Sequence, residues 1–139
     1  MAALDALGAT RDWEARTIED RVRAICLSFP EATEKLSHGA PAFFVKKQFV
    51  MLWATGHHDN QFPHLWCAAP AGVQAELVDT EPERFFRPPY VGARGWLGER
   101  LDRSVDWDEI DAVCEDAYRT IAPATLIAAL DSIKQQRPS

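Results

Sequence analysis

The chain has 139 residues, a net charge of −6, 47% hydrophobic residues and 26% charged ones. This is the size and make-up of one globular domain, since a chain of this length buries roughly 68% of its unfolded surface and folds without staples. No run of about 18 apolar residues suggests a membrane span, and no basic region followed by an apolar core suggests a secretory signal.

The elements follow in chain order. Residues 1–16 show no sustained period and read as a loosely ordered lead-in to a single domain over 17–135. A helix begins at Thr17, where Thr17 and Asp20 resemble a capping box. Val22, Ile25, Cys26 and Phe29 recur on one face until Pro30 stops it. Glu34–His38 is a short strand, punctuated by Gly39 and Pro41. Ala42–Lys46 and Gln48–Ala54 are strands joined tightly at Lys46-Lys47. In the second of them, alternation puts Phe49, Met51 and Trp53 on one face and Val50 and Leu52 on the other, so this strand is central and covered on both sides. After a polar loop, Gly56 to Phe62, the strand His64–Ala68 places His64 and Trp66 on one face and Leu65 and Cys67 on the other. Pro70 opens a short helix to about Asp79, and Glu81–Phe86 reads as a further helical turn.

The stretch Phe85 to Leu101 then packs aromatics, arginines, glycines and Pro88-Pro89 into seventeen residues, which no ordinary helix tolerates. It reads as an ordered loop turning at Gly92–Gly95 and delivering Trp96 into a last strand, Trp96–Leu101. Asp106 caps a helix that buries Ile110, Val113, Cys114, Ala117 and Ile121 and stops at Pro123. A final helix from Ala124 to Ile133 turns Leu126, Leu130 and Ile133 inward. Consecutive strands with short connections pair antiparallel, and the helices cover mainly one face. The fold class is therefore α+β: a two-layer domain with an antiparallel sheet of about five strands flanked by helices.

Charge is uneven along the chain. Residues 104–131 carry 1 basic and 7 acidic groups, whereas residues 35–64 carry 3 and 1, and residues 84–103 carry 5 and 2. A small basic face on an acidic protein is compatible with this, although the whole-molecule field opposes nucleic acid at long range. Cys26, Cys67 and Cys114 are odd in number, far apart and in apolar segments, which suits buried thiols in a reducing cytoplasm.

An ordered set of short motifs runs through the chain: Cys26-Leu27 and Phe29-Pro30, then His38-Gly39-x-Pro41-x-Phe43, then Phe85-Phe86-x-Pro88-Pro89-Tyr90-Val91-Gly92-x-x-Gly95-Trp96, then Asp106-Trp107 and Ala117-Tyr118. Over about residues 17–125 this set resembles the MmcQ/YjbR family. The resemblance implies an antiparallel sheet with flanking helices, described as a double-wing fold and grouped with secretion-chaperone-like folds. It also implies a DNA-binding role, by analogy of fold.

Three sets of residues are candidates for function. Lys46, Lys47, Arg84, Arg87, Arg94, Arg100 and Arg103 would contact phosphates if hairpin and loop lie side by side, with Tyr90 or Trp96 free to stack on bases. The alternative is a solvated surface on which the arginines pair with Glu81, Glu83, Glu99 and Asp102. His38, Trp53, His64, Trp66, Tyr90 and Trp96 would form a pocket for a planar small molecule, or else an ordinary core with polar edges. His57-His58-Asp59 offers metal-ligand atoms, but adjacent residues rarely aim at one ion and the spacing fits no zinc pattern, so no metal or cofactor is expected. No nucleophile elbow, phosphate-binding glycine loop or dinucleotide fingerprint is present. The expectation is a cytoplasmic, non-enzymatic binding module for DNA, with a small-ligand-binding or sequestering protein as the alternative and a protein-interaction module as a third reading.

Overall fold

The first helix starts well before Thr17. In the computed structural model, α1 is continuous over Ala2–Leu27, so Thr17 lies inside it and caps nothing. The alanines at positions 2, 3, 6, 9 and 15 favour helix without contributing an apolar stripe, which is why periodicity alone does not reveal this stretch. The structure describes residues 2–57, 60–102 and 105–136, and describes side chains from Ala15 onward.

Six strands follow: β1 (Thr33–Ser37), β2 (Ala40–Val45), β3 (Lys47–Trp53), β4 (His64–Cys67), β5 (Phe85–Phe86) and β6 (Leu97–Arg100). They form one antiparallel sheet in the order β1-β2-β3-β4-β6-β5. The two tightest connections need left-handed backbone. His38 and Gly39, at φ 52° and 80°, make the two-residue turn between β1 and β2, and Lys46 at φ 65° alone links β2 to β3. Where the sequence suggests a helical turn at Glu81–Phe86, only a turn forms. Phe85 and Phe86 pair with Glu99 and Gly98 as the edge strand β5, since the backbone before Pro88 favours extension and β6 offers a free edge.

β3 is central, as its two apolar faces imply, but the faces are not those of simple alternation. The β2–β3 register shifts between Phe43 and Phe44, which leaves Phe49 as the extra residue of a β-bulge. Phe49 therefore turns towards the helices, where its ring lies 5.6 Å from Tyr118 and 6.2 Å from Phe29, while Gln48, Met51 and Trp53 face the opposite side.

Helix α2 (Val73–Thr80) leans on β5, and α3 (Trp107–Ile121) and α4 (Ala124–Gln136) close the chain. α1 and α3 pack on one face of the sheet and form the core with Val22, Phe43, Leu52, Leu65 and Ile110. Cys26, Cys67 and Cys114 meet there as free, buried thiols, and burial pushes Cys26 and Cys67 well above the ordinary thiol range. In α4 Leu130 is buried, whereas Ile133 is 40% exposed and not inward as its spacing suggests, because the last turns of α4 run past the core.

The predicted cap at Asp106 forms: its carboxylate accepts from the backbone N–H groups of Asp108 at 3.0 Å and Glu109 at 3.3 Å. Asp106→Ala is expected to destabilise the protein by about 1 kcal/mol in urea denaturation, whereas Asp106→Ser, which keeps a capping oxygen, is expected to lose little.

Candidate functional site

The face of the sheet away from α1 and α3 is covered by loops, and it is here that the aromatics collect. β3 contributes Met51 and Trp53, and β4 contributes Trp66. The Trp53 and Trp66 rings lie 5.2 Å apart and tilted by 58°. The loop after β3 then doubles back. Gly56 takes φ 97°, and a Cβ there would meet the Gln61 backbone at 2.8 Å, so only glycine fits this close return. His57 and Asn60 exchange backbone hydrogen bonds of 2.8 and 3.0 Å, and Gln61 Nε2 donates to the His57 carbonyl at 3.2 Å. The reversal lays the His57 ring 4.5 Å from Trp53 and 5.3 Å from Trp66.

The opposite wall comes from the Pro-Pro stretch. The Val91 N–H donates to the Pro89 carbonyl at 2.6 Å across Tyr90, which is held at φ 63°. Tyr90 is 79% exposed and stands edge-on to His57 at 6.4 Å. A 3₁₀ turn over Gly92–Arg94 and Gly95 at φ 86° follow. Gln74 on α2 pins this loop, donating from Nε2 to the carbonyls of Gly92 at 2.8 Å and Trp96 at 2.5 Å.

Between these walls lies a cleft of about 960 Å³, lined by Trp53, Trp66, His57, Tyr90, Val91 and Arg94, with Met51, Gln48, Gln61, Gly56, Ser37 and His38 completing it. The indole Nε1 atoms of Trp53 and Trp66 are buried and have no hydrogen-bond partner among the described residues. Of the four non-glycine residues with positive φ among the described residues, His38 and Tyr90 line the cleft, and backbone strain of this kind is worth roughly 1–3 kcal/mol and gathers at functional sites.

The YjbR family model matches residues 27–120, from the end of α1 to the end of α3. The chain belongs to the YjbR family. The solved structure of the Deinococcus radiodurans protein DR2400, which carries the DUF419 domain, is similar with a TM-score of 0.62 at 16% identity. It covers 86% of this chain and 89% of that one, and it supports the fold. No curated protein matches the chain. The YjbR motif residues divide between scaffold and cleft. Phe29-Pro30 and Tyr118 hold one another in the core, and Asp106 caps α3. His38-Gly39 and the Pro88–Gly95 loop shape the cleft.

In this YjbR protein His38, Trp53, Trp66 and Tyr90 of the expected pocket come together, whereas His64 and Trp96 do not line it. His64 is fully buried behind Trp66, between Phe62 and Phe86 at 5.3 Å each. Its Nδ1–H donates to the Phe62 carbonyl at 2.7 Å, and burial lowers its pKa against that bond. Trp96 is buried below Arg94, whose guanidinium carbon lies 5.4 Å from its ring centroid. His57 and Gln61 enter the site although periodicity cannot find them, because a loop that reverses carries no period, and Gln74 supports the opposite wall from α2. The Gly56 beside His57 is the one local hint.

The basic set is split. Lys46 and Lys47 are exposed at the β2–β3 turn, and Arg94 precedes β6 at the same end of the sheet. Arg84 and Arg100 lie at the opposite end, roughly 20 Å away over six strand residues. Both are engaged with acids. Arg84 pairs with Glu81 at 2.6 Å, with Glu99 at 3.7 Å and with Glu109, and Arg100 pairs with Asp102 at 2.7 Å while lying 3.9 Å over the Phe62 ring. Arg87 is exposed, with its stem against Gly92. Arg103 lies outside the described residues, as do His58 and Asp59 of the candidate metal set. No group of three potential metal ligands occurs among the described residues. No helix among them is long and apolar enough to cross a membrane.

Proposed function

We propose that this YjbR-family protein binds a planar small molecule in the cleft, without catalysis. The observation that carries this reading is the tilted Trp53–Trp66 pair, roofed by His57 and Tyr90 over an open volume of about 960 Å³. That volume suits a drug-sized ligand, and pockets of this class are mainly apolar with a few placed polar groups. Strain at His38 and Tyr90 adds support, since both residues are held in costly conformations at the rim. The non-enzymatic part rests on the nucleophiles: all three thiols are buried on the far side of the sheet, and burial holds Cys26 and Cys67 in the unreactive form. The separation of the basic residues and the engagement of Arg84 and Arg100 favour the cleft over a DNA surface.

Isothermal titration against 2-naphthol, 2-naphthamide and 2-naphthoate tests the reading. Saturable binding of at least one probe is expected, weakened about tenfold in Trp53→Leu by loss of ring contact. No binding of any probe up to millimolar concentration, together with salt-sensitive binding of a labelled duplex that disappears in Lys46→Glu/Lys47→Glu, would replace this reading with the DNA one.

A further inference from the structure

We infer that the ligand of this cleft is an aromatic acid, its ring system against Trp53 and Trp66 and its carboxylate on Arg94. The inference rests on the proposed cleft and goes further, to the charge of what enters it. On a protein of net charge −6, the described residues lining the cleft include no carboxylate, and Arg94 is the one full charge among them. Arg23, Arg84, Arg100 and Arg119 are all tied to acids, whereas Arg94, like Arg16, Arg21 and Arg87, makes no ion pair among the described residues, and of these four it is the one that lines the cleft, lying over Trp96. Stacking on a ring leaves the guanidinium edge with its N–H fork available for a carboxylate.

One further feature agrees with this. The position of Arg94 is built and not incidental. Gln74 holds the carbonyls on either side of it, at Gly92 and Trp96, which fixes the short turn that presents the guanidinium to the cleft.

The test compares 2-naphthoate with its neutral isostere 2-naphthamide by isothermal titration at pH 7.5, on the wild-type protein and on Arg94→Gln. The acid is expected to bind at least tenfold more tightly than the amide, and Arg94→Gln is expected to bring the two within about twofold, weakening the acid far more than the amide. Amide binding as tight as acid binding, or a preference for the acid that survives Arg94→Gln, overturns the assignment of charge and leaves the aromatic cleft standing. Failure of both probes on the wild-type protein overturns this inference, and only the failure of 2-naphthol as well removes the cleft reading itself. Gln74→Ala supplies a second measure: it is expected to reduce the acid preference at least threefold with Arg94 intact, and an unchanged preference shows that the loop needs no such support.

Discussion

Replacing Tyr118 by alanine is expected to destabilise the protein by about 4 kcal/mol, while Tyr118→Phe loses only about 1–2 kcal/mol. Tyr118 is fully buried on α3, with its ring 5.0 Å from Phe29 and 5.6 Å from Phe49. Truncation removes a large apolar surface at the junction of α1, α3 and β3, and the helices cannot close over the space without moving off the sheet. The hydroxyl donates to the Pro30 carbonyl at 2.7 Å, which ties the end of the first helical segment to α3 across 88 residues. Phenylalanine keeps the packing and leaves that carbonyl without its bond, hence the smaller loss. Urea denaturation of the two variants separates the contributions. Equal losses would assign the role to the hydroxyl alone, and a loss below 1 kcal/mol for Tyr118→Ala would contradict the packing described.

Glu99→Gln is expected to stabilise the protein at pH 8 by up to about 3 kcal/mol and to leave it almost unchanged at pH 5. Glu99 lies on β6 between Leu65 and Phe85, 2% exposed, with Oε1 unpartnered among the described residues. Burial pushes its carboxyl up to about 7; Arg84 at 3.7 Å opposes this and Glu81 adds to it. Arg84 is shared with Glu81 and Glu109, so it cannot neutralise Glu99 fully. Between pH 4.5 and 7 the folded protein holds a proton that the unfolded chain has released, so stability falls as pH rises through this window and levels off above it. Glutamine imitates the protonated acid and removes that slope.

His64 contributes the opposite slope. Burial lowers its pKa, so its contribution to stability is present above about 6.5 and is lost as pH falls through the folded value. Its effect is common to both proteins and cancels in their difference. Measured by urea denaturation from pH 5 to 8.5, a difference between wild type and Glu99→Gln that stays constant with pH would show that Glu99 is ionised throughout.

The local chemistry of the chain is enough for most of the scaffold. Asp106 and Pro123 bound α3, Pro30 ends the first helical segment, and alternation correctly places His64 and Trp66 on one face, 6.1 Å apart. Short connections make the sheet antiparallel, and the ordered motifs identify the family because each is a local pattern of turns, caps and core residues. Contacts between distant segments decide the rest. Phe49 leaves the Met51–Trp53 face because β2 imposes a bulge, and Phe85-Phe86 becomes a strand because β6 has an edge to pair. The site lies almost wholly in this second class. His57 reaches the tryptophans through a reversal at Gly56, Arg94 is presented by a glutamine 20 residues earlier, and Trp96 is withdrawn beneath it. A side chain's period reports which face of its own element it occupies, but not which loop will fold over that face or which acid will claim an arginine. Those outcomes depend on energies gained only when segments far apart in sequence meet.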